Sequence, residues 1–127
     1  MRTSLWIALL LLAVMIGGGL VSGEAVKMQS DRYISAAEEI DVLVEEGQWA
    51  RAMEIAEAYQ DTWEETVPWL QMIIDHQDID AVSLALEHLI AGLRVQDISH
   101  CLITCTELKE HARHLYHRDA FTLSNVL

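Results

Sequence analysis

Apolar residues follow two patterns along this chain. The first is a continuous block, LWIALLLLAVMIGGGLVS, covering residues 5–22, eighteen residues without a charge. Beyond it the apolar positions space out at three and four residues, the period of an amphipathic helix. Val and Ile never alternate with polar residues along a run, so nothing reads as a half-buried strand. After Gly23 there are two glycines, Gly47 and Gly92, and the whole chain has one proline, Pro68. The pattern predicts an all-α protein, with an N-terminal transmembrane helix followed by a compact antiparallel bundle of three to four helices.

Four helices are predicted after the block. The first covers about 30–46, with Ile34, Ala37, Ile40 (or Asp41) and Val44 on one side and Gly47 as its stop. A second starts at Gln48 and carries Trp49, Ala52, Met53, Ala56, Tyr59 and Trp63 on one side. Pro68 is expected to kink it, since Trp69, Met72 and Ile73 keep the period as far as Asp75. The third follows DHQDID, with Ile79, Val82, Leu86, Leu89, Ile90 and Leu93 as its stripe and Gly92 marking close packing. The fourth begins near Asp97 or Ser99 as N-cap and runs to about Arg118. The tail FTLSNVL, with Phe121, Leu123, Val126 and Leu127, is apolar enough to dock back on the bundle. The segment EEGQWARAMEIAEA, residues 45–58, has the local look of one tetratricopeptide-type hairpin, but no second copy appears at the period of about 34 residues that an array needs.

The leading block sets topology. Eighteen uncharged residues are at the lower edge of what crosses a bilayer. Arg2 precedes them, Glu24 follows, and the positive-inside rule places the N-terminus in the cytoplasm and the domain outside. Domains are then read as an anchor over 1–23, a linker over 24–29 and an extracytoplasmic helical domain over 30–127. The rival is a signal peptide cleaved after Gly23, where Val21-Ser22-Gly23 supplies small residues, and the protein would then be secreted. The block exceeds the usual apolar core of such a signal, about 7–15 residues, which favours the anchor. A lipoprotein anchor is excluded, because the first cysteine is Cys101.

Charge removes whole classes of partner. Twenty acidic residues face eight basic ones, a formal net charge of −12. Nucleic acid and anionic lipid surfaces both require clustered Lys and Arg. The imbalance is local: residues 31–80 hold fourteen Asp and Glu against Arg32 and Arg51, whereas residues 81–127 hold five acids, four bases and five of the six histidines.

The stretch HCLITCTELKEHARHLYH, residues 100–117, carries the densest chemistry. On a helical wheel Ile98, Cys101, Leu102, Cys105, Leu108, Ala112 and Leu115 share one side, and His100, Glu107, His111 and His114 lie roughly opposite, with His117 on the flank. A joint Cys/His zinc site is therefore not available within this helix. The cysteines read as small buried hydrophobes. Glu107, His111 and His114, at i, i+4 and i+7, are the candidate ligands for a divalent metal; otherwise they form a solvated face of Glu–His pairs. Protonation of the histidines at mildly acid pH would add up to five positive charges to the second half, a basis for a pH response. No other cofactor is implied.

DHQDID does not fit a calcium-binding loop, since it lacks the turn glycine and the closing glutamate. Capping of the third helix by Asp78 or a neighbour accounts for the acids more simply. His76 and Asp80 would form an acid–base couple, but no nucleophile accompanies them, and HExxH, GxSxG, CxxC and Gly-rich phosphate loops are all absent. Trp69, His76 and Asp80 are taken instead as candidate interaction residues, and a half-exposed Trp69 would suit a partner helix.

The N-terminal apolar block, the central Trp63, HQDIDAVSLALEHLIAGL from His76, the acidic positions around Glu107 and the terminal NVL together resemble a family of short bacterial proteins, the domain of unknown function numbered 4363. The resemblance covers nearly the whole chain. It implies a membrane-anchored, helical, extracytoplasmic protein and transfers no catalytic residue. The expected function is thus a non-enzymatic, membrane-anchored interaction module that binds a protein partner or a second copy of itself. The alternative is a metal- or pH-responsive binding module using the histidines of helix 98–118.

Overall fold

The computed structural model describes the backbone of residues 2–126, and the side chains of residues 2–17, 24 and 26–115. The described residues form four helices and no strand: α1 (Arg2–Glu45), α2 (Trp49–Leu70), α3 (His76–Arg94) and α4 (Ile98–Val126). Short connections make each helix antiparallel to the one before it. The packing closes into a ring, with α1 against α2 and α4, and α3 against α2 and α4.

Two of the three turns are Schellman caps. At the end of α1 the Gln48 N–H donates to Leu43 O (2.8 Å) and the Gly47 N–H to Val44 O (3.1 Å). Gly47 has φ +75°, the left-handed conformation in which a missing Cβ removes the steric penalty. At the end of α3 the Asp97 N–H donates to Gly92 O (3.1 Å) and the Gln96 N–H to Leu93 O (3.2 Å). Here the left-handed residue is Gln96, with φ 55°. Asp97 then opens α4, its carboxylate accepting from the His100 N–H at 3.1 Å.

The middle turn differs from the sequence expectation. α2 ends at Leu70, and residues 71–75 form the connection, where the apolar period predicts a kinked helix to Asp75. Pro68 lies in the last turn of α2, where it withholds the donor that would bond Glu64 O and so weakens the ladder just before the helix stops. Leu70 O accepts from both Ile73 N–H (3.0 Å) and Ile74 N–H (2.8 Å), which tightens the chain into a turn. The cap of α3 is Asp75, which accepts from the Gln77 N–H at 3.1 Å. Asp78 sits inside the first turn instead, where a carboxylate suits the positive end of the helix dipole.

The expected linker over 24–29 is helical, as part of an unbroken α1. The cause lies in the packing: Val26 and Ser30 are buried, and the Ser30 hydroxyl donates to Ala112 O on α4 at 2.7 Å. A helix held at that level has no reason to unwind below it. α4 likewise continues to Val126, past the expected end at Arg118. The docking expected of Phe121, Leu123, Val126 and Leu127 lies outside the described side chains, as does His117. Among the described residues no helix is long and apolar enough to cross a membrane. The described part of the leading block, residues 5–17, spans only ~20 Å at 1.5 Å per residue, against ~30 Å of bilayer hydrocarbon.

The core follows the predicted stripes closely. All six positions of the predicted α3 stripe (Ile79, Val82, Leu86, Leu89, Ile90 and Leu93) are buried. Facing them are Ile40 and Val44 of α1, Ala52, Ala56 and Trp63 of α2, and Cys101, Cys105 and Leu108 of α4. Trp63 is the largest fully buried side chain; its indole N–H donates to Ser83 Oγ at 2.7 Å. Tyr33 meets it edge-on, with ring centroids 5.3 Å apart, and also contacts Tyr59 at 5.7 Å. This aromatic cluster ties α1 to α2. Gly92 marks the closest approach of α3 and α4: a Cβ there would lie 2.5 Å from His100 Cδ2 and 3.2 Å from Cys101 Sγ.

Candidate functional site

Helix α4 sorts its chemistry by face, as its period requires. Cys101 and Cys105 are fully buried free thiols. Burial, and then Asp97, pushes the Cys101 thiol up; burial, and then Asp41, does the same to Cys105. Both stay protonated and packed, which removes the thiolate that nucleophilic chemistry needs. Asp41 crosses from α1 to Lys109 at 3.2 Å, a partly buried ion pair between neighbouring helices.

On the other face Glu107 and His114 are exposed and His111 is half-buried. Glu110, one turn before His114, is engaged with Arg113. Among the described residues no group of three His, Cys, Asp or Glu side chains is placed to hold a metal ion. A feature that sequence reading missed lies at the α3–α4 turn. His100 Nε2 donates to His88 O at 3.1 Å, and the two rings stand 6.4 Å apart. Only the absence of a side chain at Gly92 makes room for His100 there.

The α2–α3 corner gathers the other candidates. Trp69 is 39% exposed near the end of α2. His76 and Asp80 lie exposed on the first turns of α3, and among the described residues no ion pair joins them. Between them the chain presents Met72, at 80% the most exposed large apolar side chain of the described residues, and Ile73. Leu70 and Ile74 of the same stretch are buried and hold the corner to the core.

One groove opens along α2 and α3, with Trp63, Ser83 and Leu86 as its floor and Gln60, Glu64 and Glu87 on its rim. Its volume of about 200 Å³ is below the range of about 300–1,000 Å³ typical of small-molecule sites.

The outer surface of α1 and α2 is the strongest charged feature. Asp31, Glu38, Glu39, Glu45, Glu46, Glu54, Glu57, Asp61, Glu64 and Glu65 are all exposed. Arg51 pairs locally with Glu54, and Arg32 is the other exposed base of this stretch.

A family model described as Domain of unknown function (DUF4363) matches residues 20–126. No curated protein and no solved structure matches the chain.

Proposed function

The chain belongs to the DUF4363 family, and we propose that it serves as a membrane-anchored, non-enzymatic interaction module, its helical bundle outside the cytoplasm. The observation that carries this reading is the N-terminal part of α1. Leu5, Trp6, Ile7, Leu9, Leu10, Leu11, Leu12, Val14, Met15 and Ile16 are all exposed, on every side of the helix. A helix that is apolar all round and touches no core is suited to lipid rather than water. In sequence the uncharged stretch between Arg2 and Glu24 counts 21 residues, about 31 Å of helix, close to the hydrocarbon thickness. Arg2 on the near side and the acidic bundle on the far side set the orientation.

The bundle's role follows from what its surface offers. Its thiols are closed off and its groove is small, while ten exposed carboxylates cover α1 and α2. Self-association through that face would set like charges against each other, so the reading takes a partner with a basic surface.

Alkaline carbonate extraction of membranes, followed by N-terminal sequencing, tests the anchor. The expected result is a pelleted chain that retains residues 1–23. Release into the supernatant, or a mature N-terminus at Glu24, would overturn it. Cross-linking in membranes tests the partner. A cross-linked heteromeric species that weakens as salt rises supports the reading, and monomer alone at every salt concentration refutes it.

A further inference from the structure

We propose that the α2–α3 corner is a second membrane contact, which lays Trp69, Met72 and Ile73 into the interfacial layer of the same bilayer; the inference rests on the anchor reading above. Tyr33 of α1 packs against Tyr59 and Trp63 of α2, and the two helices run antiparallel from the turn at Gly47. Each residue toward the N-terminus of α1 is therefore matched by one toward the C-terminus of α2. α2 ends at Leu70, seven residues beyond Trp63 or ~10 Å at the helical rise, so the turn that carries Met72 lies about level with the turn of α1 over residues 24–27. That is where the uncharged stretch ends and the bilayer surface would lie.

Composition agrees with position. TVPWLQMII, residues 66–74, is uncharged between Glu65 and Asp75, at the end of a half-chain, residues 31–80, that is otherwise dense with acids. Leu70 and Ile74 turn inward, and Trp69, Met72 and Ile73 turn out. An exposed tryptophan beside exposed aliphatic side chains is the composition of a membrane–water interface. The opposite end of the bundle differs: Val95 is exposed, but between Arg94 and Asp97. It lies about 30 Å from the corner, the length of α3.

The test uses the full chain in vesicles of phosphatidylcholine, free of other proteins. Single substitutions Met72→Cys, Val95→Cys and Leu10→Cys are labelled with an environment-sensitive fluorophore. The two native thiols are fully buried, so the new cysteine is the one that reacts, and unsubstituted protein supplies the blank. Lipids with quenchers at headgroup depth and at mid-chain depth then report position. The proposal expects Leu10 to lose fluorescence to the deep quencher, Met72 to lose it to the shallow quencher, and Val95 to lose none. If Leu10 is quenched while Met72 stays as bright as Val95, the corner does not touch lipid and the proposal fails while the anchor stands. If Leu10 is not quenched, the anchor reading fails and this inference falls with it.

Discussion

Gln96→Gly should stabilise the protein, and Gly47→Ala, at the equivalent place in the other Schellman turn, should destabilise it. Both positions close a helix with the same pair of backbone hydrogen bonds, and both lie in the left-handed region, at φ 55° and φ +75°. A side chain in that region costs about 1–2 kcal/mol through the clash of Cβ with the following carbonyl. Replacing Gln96 by Gly removes this cost but widens the freedom of the unfolded chain, which takes back about 0.4–1 kcal/mol. The net gain is about 0.5–1 kcal/mol, and the exposed Gln96 side chain gives up no core packing when it is removed. At Gly47 an added Cβ would meet nothing within 4 Å, so the penalty is conformational alone. The same two terms then act in reverse, for a net loss of about 0.5–1 kcal/mol. Urea unfolding of the full chain in mild detergent, followed by far-UV circular dichroism, reads both. At an m-value of about 1–2 kcal/mol per molar, the midpoints should move apart by roughly 1 M in total, with m unchanged. Midpoints that move in the same direction, or a lower one for Gln96→Gly, would refute the account of these turns.

Ser83→Ala leaves the Trp63 indole N–H buried without its acceptor and should cost about 1–3 kcal/mol; a smaller change together with unaltered tryptophan fluorescence would mean the 2.7 Å bond contributes little. Gly92→Ala should force the His100 ring off the His88 carbonyl and press on Cys101, offsetting the helix-propensity gain of about 1 kcal/mol, and His100→Ala in the same chain should restore that gain. The buried thiols give stability a pH limit. Their folded pKa values are raised, so the stability they confer is fully present below the unfolded value of about 8.5 and declines as pH rises past it, when only the unfolded chain ionises. Urea midpoints measured from pH 7 to 9.5 should therefore fall, and fall less in Cys105→Ala; a flat profile in the unsubstituted protein would contradict the assignment.

Much of the fold was legible because helical period reports burial directly. The stripes of α3 and α4 needed nothing beyond spacing, and the same spacing separated Cys101 and Cys105 from His111 and His114. Gly47 and Gly92 were legible because glycine carries specific conformational and packing meanings. Gln96 was not, since glutamine is no signal for a left-handed cap. The end of α2 was not, because Trp69, Met72 and Ile73 continue the apolar period while the chain has already turned; period alone does not distinguish a helix from a corner that keeps apolar side chains exposed. The continuity of α1 through residues 24–29 was hidden for the complementary reason. The burial of Val26 and the bond from Ser30 to Ala112 extend the helical frame from the far side, and these are long-range facts. Tyr33 gives no sign in sequence of being the partner of Trp63, since its ring packing joins two helices and leaves no mark in either one alone.

Continuity of α1 has a mechanical consequence for the proposed function. A linker would have tethered the bundle and left its orientation free, so any surface could meet any partner. An unbroken helix makes the apolar segment and the acidic face parts of one rod. Adding a second contact at the α2–α3 corner, off the axis of α1, would remove rotation about that axis as well. The exposed carboxylates of residues 31–65 lie beyond the level of Glu24, and most are displaced from it along the bundle. Anionic headgroups would repel those carboxylates, whereas residues 66–74 of the corner carry no charge, and the exposed Asp75 and Asp80 follow them on the α3 side. A partner approaching along the membrane would then meet the acidic face in one fixed presentation, which lowers the orientational cost of binding without any added interaction.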